Sequence, residues 1–126
     1  MIKAILADDA AIMRKAISRL LKDCVDLELV AEADSYSGLM TLVSEHHPNV
    51  VILDLHMPDE DKVSMSELKS CLNGCSLLAM SVWNDAETKA RADSFGAVCL
   101  LEKRLLAEQL IPAILHMAKR CLEREA

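Results

Sequence analysis

The uninterrupted apolar run Val50-Val51-Ile52-Leu53, ending on Asp54, constrains the fold more than any other stretch of this chain. A strand with one wet face alternates apolar and polar residues. A run apolar at every position suits a parallel strand covered by helices on both faces. The carboxylate that follows is costly in such a place unless a partner meets it. Further short runs of β-type composition lie at Ile2–Ala7, Leu27–Ala33, 77–81 and 97–101.

Helical patterns fill the intervals. Ile12, Met13, Ala16, Ile17, Leu20 and Leu21 recur at three- and four-residue spacing and predict one apolar stripe on a first helix. Ser35 is placed to cap a second helix carrying Leu39, Met40, Leu42 and Val43, which His46-His47-Pro48 ends. A third, weaker helix covers about 64–72 and stops at Asn73-Gly74. Asn84 or Asp85 caps a fourth, closed by Gly96, and the last covers about 107–124. Pro112, in its early turns, either kinks that helix or marks a later start of regular helix. Strands each followed by a helix need right-handed parallel crossovers. The prediction is an α/β fold, a (βα)5 doubly wound parallel sheet of strand order 2-1-3-4-5. With 126 residues and no internal linker, one domain over 1–126 accounts for the sequence.

Composition narrows the partners. Hydrophobic residues make up 52%, enough apolar surface to fold without staples. A net charge of −6 and a pI near 5.1 argue against direct nucleic-acid binding, which needs a basic face. No apolar run approaches the roughly 20 residues of a membrane span. The 5 cysteines, Cys24, Cys71, Cys75, Cys99 and Cys121, form no C-x-x-C pair. The odd count, and an N-terminus leading into a strand without a signal segment, predict a reducing, cytoplasmic setting. Cys71 and Cys75, four apart, would share a helix face as small hydrophobes.

Open α/β sheets bind ligands beyond the carboxyl ends of their strands, where strand order reverses. That point lies between the first strand, ending in Asp8-Asp9, and the third, ending in Asp54. The fourth strand ends in Ser81, and the fifth runs out at Lys103. Three carboxylates, a hydroxyl and an ammonium therefore converge on one rim. Clustered carboxylates raise one another's pKa unless a cation neutralises them. Oxygen ligands with no Cys/His cage and room for water favour Mg²⁺. Asp8, Asp9 and Asp54 are the expected ligands, with the backbone carbonyl of His56 as a further one. Asp54, kept ionised beside the metal, is a nucleophile toward phosphorus, with Ser81 and Lys103 to meet the equatorial oxygens. Singly, each residue has a plainer reading: Asp9 as a helix N-cap, Lys103 as a solvated surface group, Ser81 as a small strand-end residue. Their convergence speaks for a site. The His56 side chain reads as a transition-metal ligand or as a rim residue governing water access. Trp83 either borders the site or joins the apolar face of the next helix.

With these residues in place, the chain resembles the bacterial response-regulator receiver domain. The matching pieces are Ala7-Asp8-Asp9, Asp54-Leu55-His56-Met57-Pro58, Met80-Ser81-Val82 and Lys103, in order at successive strand ends. The resemblance covers nearly the whole chain and implies a flavodoxin-like fold with Mg²⁺ as cofactor. It also implies phosphorylation of Asp54 by a sensor histidine kinase or a small phosphodonor. Asp8 and Asp9 would be the acidic pair, Ser81 the switch hydroxyl and Lys103 the phosphate-contacting lysine. The segment Ser81-Val82-Trp83-Asn84-Asp85, and a lysine not followed by proline, are similar to receivers that precede a LuxR-type helix-turn-helix domain. On that resemblance the chain is an isolated receiver, and residues 120–126 lead toward an output domain.

The sequence also departs from the family pattern. Leu100 stands three before Lys103, where family members usually carry an aromatic that rotates inward as the hydroxyl moves. The loop Asp59-Glu60-Asp61-Lys62 lacks the glycine often found there. A positive φ at Lys62 would be strained, so a rerouted or mobile loop is expected. Its three carboxylates would either attract Mg²⁺ loosely or discourage a phosphodonor.

The implied function is a phosphorylation-controlled switch with at most slow self-dephosphorylation, not a turnover enzyme. The alternative is a receiver-like interaction module acting without phosphate, which Leu100 and the acidic loop favour. A phosphohydrolase of the haloacid-dehalogenase type would need a second aspartate where His56 stands, and a cap for which so short a chain has no room. On the last helix, Leu110, Ile114, Met117 and Cys121 form one apolar row, and Ile111, Leu115, Ala118 and Leu122 a second. Two rows exceed one buried stripe, which predicts a homodimer or output-domain contact through this helix.

Overall fold

The computed structural model describes the backbone of residues 1–125 and the side chains of residues 1–117. Strands β1 (Ile2–Ala7), β2 (Leu27–Ala33), β3 (Val50–Asp54), β4 (Ser76–Ser81) and β5 (Cys99–Glu102) alternate with helices α1 (Ala11–Leu21), α2 (Tyr36–His46), α3 (Met65–Leu72), α4 (Ala86–Ser94) and α5 (Leu106–Glu125). The sheet is parallel, in the order β2-β1-β3-β4-β5. The doubly wound (βα)5 arrangement is thus observed with the expected strand order.

The unbroken apolar run of β3 is explained by two cores, one on each face of the sheet. Alternate residues point to opposite faces. Val51 and Leu53, with Ile5, Leu77 and Ala79, pack under α2, α3 and α4 against Leu39, Leu68, Leu72 and Ala92. Val50 and Ile52, with Leu6, Leu78 and Met80, pack under α1 and α5 against Ile17, Leu21, Leu110 and Ile114. Each large side chain so buried stabilises the fold by about 1.5–3 kcal/mol before entropy is counted.

Caps set the helix starts. Ser35 Oγ accepts the Gly38 N–H at 3.0 Å, Ser64 Oγ the Glu67 N–H at 3.3 Å and Asp85 Oδ1 the Thr88 N–H at 2.9 Å. Each such cap contributes about 1 kcal/mol. His47 ends α2 in the left-handed conformation (φ 47°), ahead of Pro48, and Gly96 (φ 75°) closes α4.

Several expectations are corrected. The α1 stripe is narrower than its spacing suggests: Ile17 and Leu21 are buried, Met13 and Leu20 half-buried, but Ile12 is 83% exposed and Ala16 is also exposed. Five residues before Ile17 is about 140° around the helix, which turns Ile12 away from the sheet. Helix α3 does stop at Asn73, as expected, with Asn73 still right-handed and Gly74 not left-handed. Cys75 lies beyond α3, so it and Cys71 share no helix face. β5 starts at Cys99, because the Ala97 N–H still bonds to Ala92 at the end of α4. Helix α5 begins at Leu106 and continues through Pro112, which removes the reading of a later start. Of its second apolar row, Ile111 is half-buried and Leu115 is 58% exposed. Ala118, Cys121 and Leu122 lie outside the described side chains. The thiols of Cys24, Cys71, Cys75 and Cys99 are free. Among the described residues, no helix is long and apolar enough to cross a membrane.

Candidate functional site

Strand register brings the chemistry together. Ala7 pairs with Leu53, Asp54 with Met80 and Ser81 with Glu102. Asp8, Asp54, Ser81 and Lys103 therefore leave neighbouring strands at nearly one level, on the carboxyl edge of the sheet. Asp8, Asp54 and Ser81 are buried, and Asp9 is exposed. Carboxylate oxygens of Asp8, Asp9 and Asp54 lie within 4.8 Å of one another.

Lys103 closes this cluster. Its Nζ lies 2.9 Å from Asp8 Oδ2 and 3.1 Å from Asp54 Oδ2, with the side chain 14% exposed. A solvated surface lysine is thereby excluded. The other Asp54 oxygen accepts the His56 N–H at 3.0 Å, and Asp8 Oδ1 accepts the Ala10 N–H at 2.9 Å. Asp9 is not the N-cap of α1; Ala10 holds that position without a side-chain cap. Asp8 Oδ2 meets the Lys103 ammonium at ion-pair distance, but among the described residues this buried oxygen accepts no well-directed hydrogen bond.

The electrostatics follow from this geometry. Burial pushes the Asp54 carboxyl above its ordinary pKa; the His56 N–H and the Lys103 charge oppose that, while the Asp8 charge adds to it. Burial alone would lower the Lys103 pKa, but the Asp8 contact and the charges of Asp54 and Asp8 outweigh it and raise the net value. One ammonium cannot neutralise three carboxylates. Clustered oxygen donors, a buried carboxylate oxygen without a directed hydrogen bond and the lack of Cys or His in the cluster fit a hard divalent cation such as Mg²⁺.

Around the rim, Ser81 Oγ accepts the Trp83 N–H at 3.0 Å and lies 3.2 Å from His56 Nε2. His56 is exposed and joins no metal-ligand cluster among the described residues. Trp83 precedes α4, is 59% exposed and lines a cavity with His56, Asp85 and Arg91, so it borders the site. Leu100 is half-buried against the core under α2–α4.

The acidic loop takes a route that needs no positive φ, as expected, and two of its three carboxylates have partners within the protein. Residues Glu60–Lys62 form a 3₁₀ turn, and Lys62 has no positive φ. Asp59 accepts the N–H groups of Tyr36 (2.9 Å) and Ser37 (3.0 Å) at the start of α2. Glu60 pairs with Arg91 at 2.5 Å. These two carboxylates are engaged within the protein, with α2 and α4. Tyr36, Asp59, Glu60 and Arg91 are the rim residues whose contacts sequence reasoning missed. Asp59 and Glu60 were expected near the site as loose metal attractors or a barrier to a phosphodonor, not as ties to α2 and α4, and no local pattern marked Tyr36 or Arg91.

Comparison with known proteins places the chain in a family. The model of the response regulator receiver domain family matches residues 4–115. The chain is 32% identical over 114 residues to the oxygen regulatory protein NreC of Staphylococcus epidermidis, covering 89% of this chain and 52% of that protein. It thus spans about half the length of the curated relatives it matches. A DNA-binding response regulator of the LuxR family from Staphylococcus aureus superposes with a TM-score of 0.80 at 24% identity, covering 93% of this chain and 98% of that one. The isolated receiver domain of RcsB from Salmonella enterica serovar Typhimurium, with phosphomimetic BeF₃⁻, gives 0.82 at 19% identity, covering 94% and 88%.

Proposed function

Because the chain belongs to the response-regulator receiver family of two-component signal transduction, we propose that Asp54 accepts a phosphoryl group in a Mg²⁺-dependent transfer and thereby switches the surface around α4. A carboxylate oxygen of Asp54 forms the new bond to phosphorus. The bond to the donor breaks in the same displacement, and the leaving group departs with the electron pair. That group is the imidazole nitrogen of a sensor histidine kinase or the carboxylate of an acyl phosphate.

Asp8, Asp9 and Asp54, with the His56 backbone carbonyl, are the residues that would hold Mg²⁺, which when bound supplies neutralising charge to the transferred group. Lys103, already between Asp8 and Asp54, is placed to meet phosphoryl oxygens as a point charge. Ser81 supplies a hydroxyl to another such oxygen, a charge-assisted bond of about 1.5–3 kcal/mol. The domain, taken as 1–126, is on this reading a switch and not a turnover enzyme.

The observation that carries the reading is the meeting of three carboxylates within 4.8 Å, with the lysine ammonium beside two of them. Incubation with Mg²⁺ and acetyl phosphate, read by intact mass, is expected to add one phosphoryl group to the protein and none to Asp54→Asn. Label persisting in the variant would move the site elsewhere. Absence of label in both would favour the alternative that Leu100 suggests, a receiver-like module acting without phosphate.

The partners follow from the same reading. A sensor histidine kinase supplies the phosphoryl group, in the cytoplasm. The LuxR-family neighbour supports a helix-turn-helix output beyond the receiver. The exposed apolar edge formed by Val25 and Leu115, beside the half-buried Ile111, is the surface for a second copy or the output segment.

A further inference from the structure

The resemblance puts an aromatic that rotates inward with the switch hydroxyl three residues before the lysine, where this chain has Leu100. Leu100 has no ring to exchange between pocket and solvent. Yet α4 is joined to the end of β3 by another side chain. Arg91, from α4, donates through Nε to the Leu55 carbonyl at 3.2 Å and through a terminal nitrogen to the Tyr36 hydroxyl at 3.4 Å. Its other terminal nitrogen pairs with Glu60 at 2.5 Å, and the Phe95 ring lies 5.4 Å from its guanidinium carbon. The fully buried Tyr36 donates its hydroxyl to the same Leu55 carbonyl at 2.8 Å.

Leu55 directly follows Asp54. Its N–H bonds to the Met80 carbonyl at 3.0 Å, and its carbonyl is held by Tyr36 and Arg91 together. The loop beyond it is pinned by Asp59 to α2 and by Glu60 to α4. A guanidinium is a planar fork of donors in fixed directions. Engaged by three partners at once, it cannot follow one of them without turning against the others. Displacement of the Leu55 peptide is then passed to the backbone that carries Arg91.

We propose that Arg91 is the positioning residue through which α4 reads the state of Asp54: its guanidinium, held by the Leu55 carbonyl, the Tyr36 hydroxyl and Glu60, makes α4 move with the peptide that follows the phosphoacceptor. The link rests on the phosphoacceptor reading of Asp54 and adds to it the route by which the signal leaves the site.

The test measures amide hydrogen exchange over residues 86–94 before and after Mg²⁺ and acetyl phosphate, with phosphoryl occupancy taken by intact mass on the same samples. In Arg91→Gln, occupancy is expected to stay within about twofold of the unaltered protein, while the phosphorylation-dependent exchange change falls at least roughly fivefold. Arg91→Lys and Glu60→Gln, each keeping part of the fork, are expected to fall between. An undiminished α4 response in Arg91→Gln at matched occupancy would overturn the proposal. If that variant does not fold, undiminished responses in Arg91→Lys and Glu60→Gln would overturn it equally. Unaltered protein that takes no phosphoryl label would overturn the phosphoacceptor reading, a separate failure visible in the mass spectrum alone.

Discussion

The Nε2 of His56 lies 3.2 Å from the hydroxyl oxygen of Ser81. That oxygen already accepts the Trp83 N–H at 3.0 Å, so the serine proton is free to point at the imidazole. On the proposed reading, a phosphoryl oxygen on Asp54 would compete for the same proton, and His56 would favour the resting arrangement. His56→Ala is expected to tighten binding of Mg²⁺–beryllofluoride by about two- to tenfold, the worth of one hydrogen bond. Fluorescence of Trp83, the single tryptophan, reads the titration. Unchanged affinity would remove His56 from the switch.

On the proposed reading, Lys103 would oppose the metal as well as serve the phosphoryl group. Its ammonium contacts both Asp8 and Asp54, and a divalent cation near them meets its repulsion. Lys103→Met keeps the stem and removes the charge. Calorimetric titration is expected to show Mg²⁺ binding tightened by roughly tenfold. Phosphoryl labelling from acetyl phosphate falls by at least about tenfold, because a charge aimed at the transferred group is gone. Weaker Mg²⁺ binding in the variant would contradict this electrostatic account.

The raised pKa of Asp54 has a consequence for stability. Burial holds this carboxyl above its ordinary value of 3.8 in the folded chain. A group raised on folding contributes stability fully below its unfolded pKa, and that contribution is lost as pH rises through the folded value. In chelator at neutral pH, Asp54→Asn is expected to unfold about 3–6 °C higher than the unaltered protein. The gap is expected to narrow as pH falls through the folded value and to close below the ordinary value of 3.8, as Asp54 takes up its proton in both states. Mg²⁺ then stabilises the unaltered protein more than the variant. Melting curves at several pH values, with and without Mg²⁺, check all three statements; a gap that widens toward acid would refute the sign.

Leu115 is 58% exposed on α5 and lines a small apolar cavity with Val25 and Ile111. The expected outcome is concentration-dependent dimerisation that Leu115→Glu abolishes without changing phosphoryl labelling. Sedimentation, with and without beryllofluoride, measures it. A monomer at high concentration in both states would count against self-association.

Much of this protein was legible locally. A carboxylate closing an unbroken apolar run marked Asp54, and adjacent acids after the first strand marked Asp8 and Asp9. Caps at Ser35, Ser64 and Asp85 act within three residues of the helices they start. Other features escaped because their partners are distant in sequence. Arg91 meets Leu55 and Tyr36 across 36 and 55 positions. Asp59 and Glu60 find their partners only when α2 and α4 come to rest on either side of them.

Ile12 shows the same limit from the apolar side, since its spacing fits a stripe while its azimuth faces solvent. The chain's own pattern determined the order of elements and which groups arrive at the sheet's carboxyl edge, because a strand's chemistry begins where its apolar run stops. Only the tertiary structure decided which of those groups touch: Lys103 between two aspartates, His56 against Ser81, Arg91 on the peptide after Asp54. Contact depends on strand register, helix rotation and desolvation, which are properties of packed elements and have no signature in neighbouring residues.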